Sequence, residues 1–147
     1  MSTYKFRLGT LLRMRQTVRD QRRAELAQAF QAEQIVRRQQ DELAHEITQT
    51  NEQILRGSQP GNVKVDNLID AHRYERVIEA RQSHLEEQRQ QLEEEIVRRR
   101  ERLVEADREV RVLEKLDERQ RQEHNQNEHR REVKQMDEIA ARVTQNK

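Results

Sequence analysis

Hydrophobic residues recur every three or four positions along most of this chain, and that spacing leaves few folds open. The first stripe runs through Leu8, Leu11, Leu12, Val18, Leu26, Ala29, Val36, Leu43, Ile47 and Ile54. The second runs through Leu68, Ala71, Ile78, Leu85, Leu92, Ile96, Leu103, Ala106, Val110 and Leu113. From Leu26 onward in the first stripe, and throughout the second, gaps of three, four and seven make a heptad pattern, the signature of helices that pair in a left-handed supercoil. Arg15 and Arg22 fall on the first stripe, and Glu75, Gln82 and Arg89 on the second. Their long stems can cover a seam while the polar ends reach water.

Only 32% of the 147 residues are hydrophobic and 39% are charged. An ordinary globular domain is about half apolar, so this chain cannot fill a compact core. Its Leu, Ile and Val are nevertheless too regularly spaced for a disordered chain. One break interrupts the pattern: RGSQPGNVKVDN, residues 56–67, holds the only proline, Pro60, and two of the three glycines. Gly57 falls where a helix C-cap belongs. Pro60 cannot continue that helix, and Asp66 or Asn67 suits the N-cap of the next. The third glycine, Gly9, weakens the first turns.

Two helices joined by one short loop run antiparallel. The expected fold is all-α: a long antiparallel two-helix coiled-coil hairpin forming one domain over residues 1–147. Helix one spans about 5–55, the turn 56–66 and helix two about 67–143, at the accuracy of such boundaries. Facing residues should then carry numbers that sum to about 120. That places Ile54 by Leu68, Leu43 near Ile78, Val36 near Leu85 and Leu8 opposite Leu113.

The second stripe stops about thirty residues before the chain does, counted on the helical pattern. DERQRQEHNQNEHRRE, residues 117–132, holds no apolar residue and no helix breaker. On the register above, helix one runs out where helix two loses its stripe. The rest is expected to overhang as a single C-terminal helix with no face to bury. Pairs such as Asp117–Arg121 and Glu138–Arg142 support it by only about 0.3–0.5 kcal/mol each. Met136, Ile139 and Val143 form a short apolar stripe near its end that nothing in the hairpin can cover, so contact with a partner is expected there.

Several function classes drop out. The net charge is +1, from 29 basic and 28 acidic residues, which gives little pull towards nucleic acid. Arg98, Arg99 and Arg100 are flanked by Glu93, Glu94, Glu95 and Glu101 and read as a solvated mixed face. The chain has no cysteine, which removes disulfides, thiol catalysis and Cys-type zinc sites. Its histidines (His45, His72, His84, His124 and His129) include no pair at i,i+3 or i,i+4, so no metal site is expected. No phosphate loop or nucleophile elbow occurs. Two paired helices form no concave pocket to shift a carboxylate pKa. The expectation is a non-enzymatic protein without cofactors. The first residues lack the apolar core of a signal peptide, and no stretch approaches a membrane span. A soluble cytoplasmic protein follows.

Three segments resemble the FliJ family of flagellar export proteins. Phe6, Arg7, Leu8, Leu11, Leu12 and Arg15 are similar to its opening, VLEKLDER at 112–119 to its motif before the tail, and Lys134, Met136, Asp137, Glu138, Ala140 and Arg142 to its closing signature. Length, central break and helical pattern match as well. The resemblance implies an antiparallel coiled-coil stalk, similar to the central-stalk subunit of rotary ATPases. It would bind the hexameric flagellar export ATPase with the end that holds both termini, through Phe6, Leu8, Leu12, Arg119, Met136, Asp137, Ile139 and Arg142. It would also contact the membrane export gate early in helix two, through Tyr74, Ile78, Arg81 and Leu85, and help to cycle export chaperones. Arg81 stands where the family has a small residue, with Ala80 adjacent. Ile78 is on the seam and doubles as core, whereas Tyr74 is off it and reads as an exposed aromatic. Its place would be peripheral, at the cytoplasmic face of the flagellar basal body. Two other readings share the architecture or composition: the stalk of a virulence-type secretion system, and a generic dimerising coiled-coil scaffold. Sedimentation separates the last, because a stalk is a monomeric hairpin when alone.

Overall fold

The computed structural model describes residues 2–57, 61 and 64–146. Two helices account for nearly all of them: α1, Gly9–Gly57, and α2, Val65–Gln145. They pack antiparallel as a helical hairpin, and the described residues include no strand. No helix among them is long and apolar enough to cross a membrane.

The ends of the helices differ from the sequence-based expectation in physically informative ways. α1 starts at Gly9, not near residue 5, because residues 2–6 are extended and residues 7 and 8 form a turn closed by Gly9 N–H donating to the Phe6 carbonyl at 3.2 Å. Gly57 is the last residue of α1. The left-handed backbone belongs to Gly61 instead, with φ of 108°, a conformation that favours glycine. Pro60, expected to stop α1, lies outside the described residues. α2 begins at Val65, ahead of the expected caps. The Lys64 carbonyl accepts from Asn67 and Leu68 N–H at 3.1 and 3.3 Å. Asp66 therefore sits inside the first turn, where its charge complements the positive end of the helix.

The chain divides into two compact units, and both helices contribute to each. In the unit Arg23–Glu101, the buried side chains are Ala29, Val36 and Leu43 from α1 and Ile78 and Ile96 from α2. In the unit formed by residues 1–22 and 102–147, Ala106 and Val110 are buried, Val110 completely. Each of these residues lies on one of the two stripes, and no polar or charged residue is buried among those described. Leu8, Leu12, Leu103, Leu113 and Leu116 are half-buried beside them.

The register is displaced by about one helical turn from the sum-of-120 rule. Arg15 pairs with Glu109 at 2.7 Å where the rule gives residue 105, and Arg99 donates to the Glu25 carbonyl where it gives residue 95. The same shift brings Leu8 level with Leu116 in place of Leu113. A heptad pattern is satisfied equally well after sliding by a turn, so the seam alone does not choose between the two.

Candidate functional site

Among the described residues no polar or charged residue is buried and no metal-ligating side chains cluster. Three regions hold the residues singled out from sequence.

The first is early α2, in the unit Arg23–Glu101. Tyr74 was expected on an exposed face, and this is corrected: it is half-buried against α1. Its hydroxyl accepts from Thr50 Oγ1 at 3.2 Å and donates to Glu46 Oε1 at 3.0 Å. The reason is position: Tyr74 flanks the seam, close enough for a long side chain to reach across to α1. Arg81 also turns to Glu46, at 3.8 Å. Ile78 is buried, as its place on the seam demands, and Leu85 is half-buried. Glu46 thus anchors both polar members of the set. Beside Tyr74 lies a groove of about 390 Å³ between the helix ends, with Thr50, Ile54, Leu68 and Ala71 in its walls. Ile54 and Leu68 both line it, 40% and 57% exposed.

The second region is the stretch 117–128 of α2, where the expectation of an unpartnered overhang fails. Residues 2–6 lie along it as an extended strap. The Tyr4 hydroxyl donates to Asp117 Oδ1 at 2.7 Å and shares the Asp117 carbonyl at 3.2 Å. The Tyr4 ring stands 5.7 Å from the Arg121 guanidinium and is tilted at 44° to the His124 ring, also at 5.7 Å. Such placements let the ring quadrupole attract the cation. Ser2 Oγ donates to Glu128 at 3.0 Å. His124 Nε2 lies 3.2 Å from the Ser2 carbonyl, which only accepts, so that nitrogen carries the proton in this contact. Partial burial and the bond to Asp117 push the Tyr4 hydroxyl up to about 12. The Ser2 hydrogen bond holds the Glu128 carboxyl below its ordinary range, with Arg131 and His124 adding to the effect.

Sequence reasoning missed the strap, although a signal for it exists. Tyr4 and Phe6 alternate with Thr3, Lys5 and Arg7, and the structure finds the two aromatics half-buried and the other three exposed. A period of two belongs to extended chain, not to helix. The geometry also explains how so short a segment reaches so far. Extended chain advances about 3.3 Å per residue and helix 1.5 Å, so the step from Tyr4 to Ser2 covers roughly four residues of α2, and the side chains make up the rest of the way from Asp117 to Glu128.

The third region is the end of α2 beyond Glu128, where residues 129–146 are exposed throughout. Val133, Met136, Ile139 and Val143 are 45–70% exposed there. Asp137, Arg142 and, further back, Arg119 are exposed too, while Phe6, Leu8 and Leu12 are half-buried at the other chain end. Elsewhere the arginine run behaves as a mixed face: Arg98 and Arg99 both bond to Glu95, and together they hold its carboxyl below the usual range.

Residues 4–147 match the family described as Flagellar FliJ protein. No curated protein and no solved structure matches the chain.

Proposed function

We take as premise that this chain belongs to the flagellar FliJ family, and we propose that it is a non-enzymatic stalk of the flagellar type III export apparatus. In this reading the chain ends and the tail beyond Glu128 engage the hexameric export ATPase, early α2 engages the membrane export gate, and the protein assists delivery by export chaperones. The observation that carries the reading is the family match over nearly the whole chain. A helical hairpin with an exposed apolar stripe at the end of α2 supports it, because an unpartnered stripe on a helix is what a docking surface looks like.

The test follows from where the strap ends. Truncation from Glu118 would also remove the strap's seat, so the informative cut is after Glu128. Purified full chain should raise the turnover of the export ATPase, and the chain lacking residues 129–147 should not, while the hairpin melts at the same temperature. Stimulation that survives the cut would exclude the tail as the coupling element. For the gate, Tyr74→Ala should weaken binding with ATPase stimulation intact. Tyr74→Phe, which keeps the ring and loses the bonds to Thr50 and Glu46, should weaken it less. Loss of both activities in Tyr74→Ala would show that the residue only holds the hairpin together.

A further inference from the structure

The stretch 117–128 of α2 is a helix with no apolar seam, and a polar helix alone is marginal in water. Ser2 and Tyr4 reach it from another part of the chain. Their contacts are side-chain bonds, a tyrosine ring beside Arg121 and tilted against His124, and two carbonyls, all exposed or half-buried. Segments held in this way open at lower free energy than packed seams do. The strap ends at Glu128, and the exposed stripe begins just past it at Val133. The closed strap therefore lies on the helix that leads into the stripe and leaves the stripe itself uncovered.

We propose that residues 2–6 are a releasable clasp: closed, it holds α2 helical through Glu128 and presents Val133, Met136, Ile139 and Val143 on a preformed helix; open, it lets the tail fray. A partner that reads the stripe then binds a helix already ordered, and avoids the entropic cost of ordering it. The clasp sets whether that helix exists in advance.

Amide hydrogen exchange on the full chain tests this without any partner. Tyr4→Ala should speed exchange across residues 121–143 by about tenfold and leave the amides around Val36 and Leu43 unchanged, as local opening requires. Lys5→Ala, an exposed strap residue, should change neither. The proposal is overturned if Tyr4→Ala matches Lys5→Ala. It is also overturned if Tyr4→Ala speeds the amides at Val36 and Leu43 equally, because the strap would then belong to the hairpin's global stability.

Discussion

The two compact units are made from the same two helices but are held by different chemistry. In Arg23–Glu101, five buried apolar residues supply the contact, and polar groups such as Glu46, Glu86 and Arg99 decorate its edges. In the unit of the chain ends, burial ends with Ala106 and Val110, and beyond Leu116 a hydrogen-bonded tyrosine takes over from the seam. Charge divides along the same line: the chain-end unit holds 17 of the 29 basic residues but 12 of the 28 acidic ones. A helical partner is worth having only while there is apolar surface to bury. Where that runs out, an extended segment covers more helix per residue and matches polar groups one by one.

If this contrast is right, the largest loss should come from the first unit. Leu43→Ala removes a buried seam residue and should destabilise the hairpin by about 2–4 kcal/mol, read by chemical denaturation. A loss under about 1 kcal/mol would show that the seam relaxes freely, contrary to close packing. Tyr4→Ala should cost less, because a ring contact and a hydrogen bond at a surface are weaker than a packed seam residue. Its effect should stay within the chain-end unit, which segment-resolved hydrogen exchange can show. Smaller again is Arg15→Ala, whose partner Glu109 lies 2.7 Å away with both side chains well exposed. About 0.2–1 kcal/mol is expected, shrinking as salt is raised, and a salt-independent loss would point to packing by the arginine stem.

The strap should also respond to pH, and the directions are fixed by its groups. The neutral Tyr4 hydroxyl is the form that bonds to Asp117, and its pKa rises from 10.0 to about 12. Its contribution is whole below the ordinary tyrosine value and is lost as pH climbs through the raised one. Glu128 behaves oppositely: its carboxyl is held below the ordinary value of 4.5, so its contribution is present above that value and is lost as pH falls through the lowered one. The strap should therefore stay closed across neutral pH and loosen at both extremes. With Tyr74→Phe, Tyr4 becomes the only tyrosine in a chain without tryptophan. Its tyrosinate absorbance should then appear near 12, and titration at 10 would mean that the strap is open in solution.

The seam was legible because a heptad repeat needs nothing but spacing. Ala29, Val36, Leu43, Ile78, Ile96, Ala106 and Val110 all sit on the stripes read from the sequence. Register was legible only to within a turn, since sliding by one turn preserves the pattern. Tyr74 was misplaced because its partners, Thr50 and Glu46, come from the other helix, and no local pattern pairs them. The strap stayed hidden for the same reason, its contacts joining the two ends of the sequence, although the alternation of Tyr4 and Phe6 with Thr3, Lys5 and Arg7 announced extended chain. Which surface residues meet a partner is not written in periodicity at all, because an exposed Met136 and an idle one share the same spacing.

An extended strap lying along a helix has a direction, and that gives the molecule a mechanical grain. A pull on residue 2 along the axis of α2 loads the Ser2–Glu128 and Tyr4–Asp117 attachments together, in shear. The same pull at right angles strains Ser2 first and Tyr4 only after it, in the manner of a zipper. A machine that tugs the chain end lengthwise meets a tie-rod, and one that lifts it sideways meets a tear strip.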